Sequence, residues 1–234
     1  MGAGRKAFLK YFGADREGYD WSPRFNIAPT QNIPTIRQHA REPKRELTEM
    51  RWGLIPYWST DASIGYKMIN ARAETITSKP AFEEPIRKRR CLIPADGFYE
   101  WKKMDSKTKQ PFCFMLSDES VFAFAGIWDR WKDPQGTTVE TCSIITTTKN
   151  ALTADVHDRM PVILRPGDYD LWLDPGMTRT DDIVAMLKPY APDKMKRFAV
   201  SSRVNVVAND DKTCAEPVEL TPAEANMSLF DTLA

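Results

Sequence analysis

The chain has 234 residues, 33 basic and 32 acidic, giving a formal net charge of +1 at neutral pH. That balance excludes a histone-like binder held to nucleic acid by bulk charge, so a nucleic-acid site would have to come from local clustering. No run of about 18 apolar residues and no charged-apolar-small leader occurs, so neither a membrane span nor a signal peptide is expected and a reducing cytoplasm fits best. Cys91, Cys113, Cys142 and Cys214 are far apart and none shows C-x-x-C spacing, so no metal site and no cofactor are expected. The first three lie in apolar, strand-like runs and read as reduced core residues.

In chain order, Arg5-Lys6-Ala7-Phe8-Leu9-Lys10-Tyr11-Phe12-Gly13 places apolar residues at helical spacing and closes on a glycine suited to a C-cap. Residues 33–38 and 46–52 read as strands leading into the aromatic segment Trp52-Gly53-Leu54-Ile55-Pro56-Tyr57-Trp58. A helix is expected from Ser78-Lys79-Pro80 to Arg90, with Pro85 as an objection to its continuity. Strands then dominate: 91–94, 98–103, 111–116, 121–127 and 138–147 are rich in aromatic or β-branched residues with turns between most of them. Residues 168–173 and 181–189 look helical, and 197–207 returns to an extended pattern. Mostly sequential strands favour an α+β fold: a single domain over residues 1–234, with a mainly antiparallel, curved, barrel-like sheet flanked by helices. Residues 220–234 read as a tail.

Three short strings could carry chemistry, and each also has a plain structural explanation. Asn70 and Arg72 would share one face of an extended strand, where an amide and a guanidinium can hold an anion; a turn asparagine and a surface arginine explain them equally simply. Glu74 fits the same network as a salt-bridge partner. Glu100 lies in Gly97-Phe98-Tyr99-Glu100-Trp101, where loss of water around the carboxylate would raise its pKa towards the range useful for acid or base work. A strand glutamate also commonly faces solvent, and Lys102 and Lys103 are expected to carry this strand to water. His157, one of two histidines, is followed by Arg159, and in an extended stretch both would point the same way. A capped, partly buried histidine is the alternative. Arginines interleave with aromatics at Trp21-Arg24-Phe25, Arg51-Trp52-Trp58 and Trp128-Arg130-Trp131, a pattern that suits single-stranded nucleic acid as well as an ordinary core. The run Arg87-Lys88-Arg89-Arg90 reads as a solvated helix end.

Taken together and in order, the strings resemble the SRAP family, the SOS-response-associated peptidase proteins that cross-link to abasic sites in single-stranded DNA. The matching pieces are Pro23-Arg24-Phe25-Asn26-Ile27-Ala28-Pro29-Thr30, Arg51-Trp52-Gly53-Leu54-Ile55-Pro56, Asn70-Ala71-Arg72-Ala73-Glu74-Thr75, the stretch Arg90 to Trp101, and His157-Asp158-Arg159-Met160-Pro161. Val204-Asn205, Asn209-Asp210 and Cys214-Ala215-Glu216-Pro217 complete the set. The resemblance implies a basic groove for single-stranded DNA and a pocket for the abasic sugar. It also implies an N-terminal cysteine whose amine forms a Schiff base with the sugar aldehyde and whose thiol closes it to a thiazolidine. Asn70 would orient the N-terminus and the sugar, Glu100 would act as acid or base near the amine, and His157 would shuttle the proton for ring opening. Arg72 and Arg159 would hold flanking phosphates, with Pro29 and Trp52 wedging or stacking against splayed bases. The implied partner is single-stranded DNA containing abasic sites, bound by a monomer away from any membrane.

The family begins Met-Cys-Gly-Arg, whereas this sequence begins Met1-Gly2-Ala3-Gly4-Arg5 and runs almost directly into the first helix. The expectation is a truncated start, with true loss of the cross-linking nucleophile as the alternative. None of the four cysteines can substitute, because none is N-terminal; weak or reversible reactivity without a heat-stable adduct is expected. Two other functions remain open: a thiol peptidase acting on proteins, and a catalytically silent binder of single-stranded DNA.

Overall fold

The structure, a computed structural model, describes residues 5–15, 22–39, 42 and 44–220. The Met1–Gly4 start, Trp21 and the expected tail beyond residue 220 lie outside the described residues.

The first helix forms as its pattern requires. α1 (Arg5–Phe12) turns Phe8 and Phe12 into the core, and Gly13 ends it at φ +57°, a conformation that favours glycine. After β1 (Ala14–Asp15) come β2 (Asn32–Gln38), β3 (Arg45–Trp52), β4 (Asn70–Arg72), α2 (Pro80–Lys88), β5 (Arg90–Ala95), β6 (Phe98–Lys103) and β7 (Lys109–Leu116). The chain continues through β8 (Phe122–Lys132), β9 (Thr138–Thr148), β10 (Arg159–Pro161), β11 (Ile163–Leu164), α3 (Tyr169–Leu173), α4 (Thr180–Ala185) and β12 (Met195–Ala199).

The larger sheet closes on itself. Strands run β3-β2-β5-β8-β9, and β9 returns to β3 through the parallel pairing of Arg51 with Thr141 and Trp52 with Cys142. Closure leaves the ring without open edges, the usual solution for a curved sheet. Most pairings are antiparallel, as expected; β1–β3, β3–β9 and β4–β9 are parallel. Strand alternation then sorts the core into two layers. Ile33, Met50, Cys91, Ile93, Phe124, Cys142 and Ile144 form one cluster within the barrel. Ile36, Leu47, Leu92, Ala125 and Ile145, one residue out of phase, pack outward against Phe8, Phe12, Phe82, Ile86 and Trp172 of the helices. Gly126 marks a tight point inside, where a Cβ would lie 2.8 Å from both the Cys91 Sγ and the Ile93 Cδ1. A separate antiparallel sheet, β6-β7-β12, stands against the barrel mouth.

Several sequence expectations need correction. α2 is continuous through Pro85, because a buried face of Ala81, Phe82, Pro85 and Ile86 offsets the one amide lost. The basic run that follows is not wholly solvated. Arg90 is 5% exposed, and its guanidinium donates to the carbonyls of Ile86, Arg87, Trp172 and Asp174, which closes the ends of α2 and α3. α4 stops at Ala185, short of the expected residue 189. The extended pattern from Arg197 stops at Ala199, where the Ser201 hydroxyl accepts from the Arg203 amide and starts a 3-10 turn over Ser202–Asn205.

Candidate functional site

A cleft of about 780 Å3 opens where the barrel mouth meets the smaller sheet. It is lined by all seven residues to which the family resemblance gave a role: Pro29, Trp52, Asn70, Arg72, Glu100, His157 and Arg159. They come from five separate stretches of chain, and the strand register is what assembles them. In β4, Asn70 pairs with Ile144 and Arg72 with Thr146 of β9, so both face the cleft side while Ala71, opposite Ile145, is buried in the outer layer.

Glu100 is half-buried on β6, opposite Phe112 of β7. Burial pushes its carboxyl above the ordinary carboxylate range; His157 opposes that shift and Asp158 reinforces it. The same interaction places His157 in electrostatic reach of Glu100. The His157 ring is exposed, and its orientation is set by the backbone: Nδ1 lies 3.1 Å from both the amide and the carbonyl of Arg159. Neutral Nδ1 can accept from that amide, and protonated Nδ1 can donate to that carbonyl. Among the described residues Nε2 makes no hydrogen bond.

The two arginines differ. Arg159 forms a two-point ion pair with Glu74, at 3.2 and 2.9 Å, and donates to the Thr146 hydroxyl at 3.2 Å and carbonyl at 2.7 Å. Four of its five N–H groups are thus committed, which holds the guanidinium in a fixed plane. Arg159 in turn holds the Glu74 carboxyl below its usual range by direct hydrogen bonding. Arg72 is exposed beside this pair and makes no side-chain hydrogen bond among the described residues. The expected salt-bridge role of Glu74 is therefore met, and it is Arg159 that Glu74 engages.

Trp52 is half-buried at the cleft wall, with its indole N–H donating to the Ile69 carbonyl at 2.9 Å. Pro29 is exposed on a tight turn in which Thr30 adopts φ 76°, a left-handed value that is strained for a β-branched side chain. The turn is pinned by the Thr30 amide bonding the Trp52 carbonyl at 2.8 Å.

Sequence reasoning gave no individual role to the residues that build the cleft's outer wall. Asn26 is 6% exposed and its amide donates to the carbonyls of Val204, Val206 and Asn209 at 3.0, 3.2 and 2.9 Å. Asp210 accepts from the backbone amides of Phe25 and Asn26, at 2.6 and 2.9 Å, and pairs with Arg24. Burial alone would raise the Asp210 carboxyl, but these bonds hold it below its usual range. Tyr99 donates to the Phe25 carbonyl at 2.7 Å, and Trp101 to the Asn205 side chain at 2.7 Å. The only advance signal was that these same strings recur together in the resemblance.

The chain that builds this closed barrel, the second sheet at its mouth and the cleft between them belongs to a known family. Residues 3–207 match the model of the SOS response associated peptidase (SRAP) family. The chain is 47% identical over 197 residues to the abasic site processing protein YoqW of Bacillus subtilis, covering 84% of this chain and 87% of that protein. It is 32% identical over 236 residues to the abasic site processing protein HMCES of Gallus gallus, covering 88% of this chain and 69% of that protein. A crystal structure of a Bacteroides thetaiotaomicron protein superposes with a TM-score of 0.73 at 35% identity, over 81% of this chain and 82% of the other.

Proposed function

We propose that this protein processes abasic sites in DNA, taking the sugar aldehyde into the cleft between Asn70, Glu100 and His157. The observation that carries the reading is the gathering of those three groups, with Arg72 and Arg159, in one cleft. An abasic sugar is a hemiacetal in equilibrium with its aldehyde. Opening the ring moves a proton from the sugar hydroxyl to the ring oxygen, a task for the imidazole of His157. Attack by an amine on the aldehyde carbon then needs a proton delivered to the departing oxygen, which leaves as water. A carboxyl that burial keeps protonated to higher pH, as at Glu100, supplies it. Asn70 orients the sugar, Arg72 and Arg159 hold the flanking phosphates, and Pro29 and Trp52 meet the adjacent bases. By family resemblance the attacking amine would be an N-terminal one; the thiol that closes the imine to a thiazolidine belongs to the family pattern, and none of this sequence's four cysteines, all internal, supplies it.

Single-stranded DNA is the favoured substrate in this reading. Tyr57, Trp58 and Tyr66 are 59%, 50% and 63% exposed in the loop that follows β3, where unpaired bases can stack. The protein acts as a cytoplasmic monomer. Among the described residues no helix is long and apolar enough to cross a membrane. Peptide hydrolysis by an internal thiol has little to support it. All four cysteines are buried and free, and burial pushes the thiols of Cys91, Cys113 and Cys142 up, that of Cys113 to about 12.

The test compares binding of single-stranded oligonucleotides with and without one abasic site, alongside a duplex. Preference for the abasic strand by about tenfold or more is expected, the scale of one or two good polar contacts. Equal affinity for the two single strands would favour the silent binder, and labelling of one cysteine by an electrophilic peptide would favour the peptidase.

A further inference from the structure

We propose that Asp155 is a positioning residue of this site: clamped between Lys102 on β6 and Arg197 on β12, it fixes the turn that carries His157 beside Glu100. The consequence for DNA rests on the abasic-site reading above; the clamp itself does not.

The geometry begins with strand parity. Glu100 and Lys102 alternate with Trp101 on β6 and so share a face, and the pairings Phe98 with Phe114 and Phe114 with Arg197 bring Arg197 to that same face. The turn that includes residues 150–157 lies over it. Asp155 Oδ2 sits 3.1 Å from Lys102 Nζ and 3.0 Å from Arg197 Nη2, while its Oδ1 accepts from Arg197 Nη1. Arg197 also donates to the Leu152 carbonyl at 2.8 Å, so one guanidinium ties two points of the turn to β12. The turn closes locally as well. Asn150 Oδ1 accepts from the amides of Leu152 and Thr153 at 3.0 Å each, and the His157 amide bonds the Thr153 carbonyl at 3.0 Å. Val156, between the clamp and the histidine, is 8% exposed and packs in the barrel core.

His157 is therefore two residues from a carboxylate held on both sides and one from a buried valine. Few backbone torsions remain free to move its ring. Contrary to the sequence expectation that it reaches water, Lys102 has a side chain only 4% exposed, turned under Asp155, and a buried ammonium stays in place only while an ionised partner faces it. Asp155 itself is 37% exposed, and partly exposed ion pairs contribute little net stability. What this one contributes is location, and misplacing a reacting group by about 1 Å can cost on the order of a hundredfold in rate. Glu100 and Lys102 share one strand face, so the clamp fixes the histidine against the strand that bears the carboxyl it serves.

The test uses the full chain, D155N and R197K. Arg197→Lys keeps the charge but loses the two-point fork, and provides a readable variant should D155N fail to fold. The ring 15N and 1H resonances of His157 are recorded, with His39, the other histidine, as an internal control and His157→Gln for assignment. Thermal midpoints are measured alongside, with affinities for intact and abasic single strands. In either variant that folds, the His157 ring signals should shift or broaden while those of His39 stay put. Preference for the abasic strand should fall about tenfold or more, with binding of the intact strand unchanged. A His157 spectrum superimposable on the wild type in the folded variants overturns the proposal, whatever happens to the midpoint. If the wild-type chain does not distinguish abasic from intact DNA, the abasic-site reading fails, and the His157 resonances still decide the positioning role.

Discussion

The barrel wall and the cleft rim are held together by different physics. Around Gly126 the wall is a matter of volume: Cys91, Ile93, Phe124 and Ile144 fill the interior, and any apolar group of suitable size would serve. At the rim, residues 24–31 meet residues 204–210 through directional bonds, in which one buried amide serves three carbonyls and one carboxylate serves two backbone amides and an arginine. A wall built on volume tolerates exchange. A rim built on polar partners does not, because each deletion leaves a buried group with nothing to bond.

The largest effect should come from Asn26→Ala. Three carbonyls lose their shared donor, at a cost of about 2–3 kcal/mol, and for a domain of this size the thermal midpoint should fall by roughly 5–10 °C. Limited proteolysis should then cut within residues 201–210. If the midpoint moves no more than it does for a volume-matched core exchange, the contrast between rim and wall is broken. The wall supplies that control: Leu92→Met should cost less than about 1.5 kcal/mol, whereas Gly126→Ala, which forces a Cβ against Cys91 and Ile93, should cost about 1–3 kcal/mol by thermal denaturation.

Titration offers a second contrast, with opposite signs at Glu100 and Asp155. Burial raises Glu100 in the folded state, so its contribution is most favourable below the unfolded value near ~4.3 and is lost as pH rises through the folded one. Glu100→Gln should accordingly flatten the decline in stability above that range while impairing reaction with abasic DNA. Asp155 runs the other way. Despite its burial, hydrogen bonds from Arg197 and Lys102 bring it down to about 2, so its stabilisation is present above the unfolded value near ~3.9 and lost as pH falls towards 2. Acid titrations of stability for E100Q and D155N should therefore diverge from the wild type in opposite senses. Matching curves would sink the assignment of either shift.

The smallest effect is electrostatic and concerns the two arginines. Arg72→Ala should lower the slope of log affinity against log salt by about 1, the loss of one phosphate contact. Glu74→Gln should raise affinity for single-stranded DNA by about two- to fivefold at low salt, because Arg159 then no longer shares its charge, and the gain should vanish at high ionic strength. Loss of affinity in E74Q would show that Glu74 serves chiefly to hold Arg159 in its plane.

Much of this was legible in residue types. Strand alternation announced β5 to β9, and the i, i+2 spacing of Asn70 and Arg72 foretold a shared face. What misled were local patterns overridden from a distance. Residues 200–207 have the β-branched look of a strand, but their carbonyls are claimed by Asn26, some 180 residues earlier in the chain, and they turn instead. Arg90 belongs by sequence to a basic surface run, yet two helix ends need its guanidinium. No window of sequence contains either partner.

The sequence by itself determined the class of fold, the set of polar groups and their family, because hydrophobic period and residue chemistry are local properties that a linear string records. Only the tertiary structure decided that the β3–β9 pairing closes the sheet into a barrel, that Glu100 is desolvated, that Arg159 is tied to Glu74, and that a Lys102–Asp155–Arg197 clamp underlies His157. Each of these depends on strand register and on water excluded by residues distant in sequence, and proximity of that kind exists only once the chain has folded.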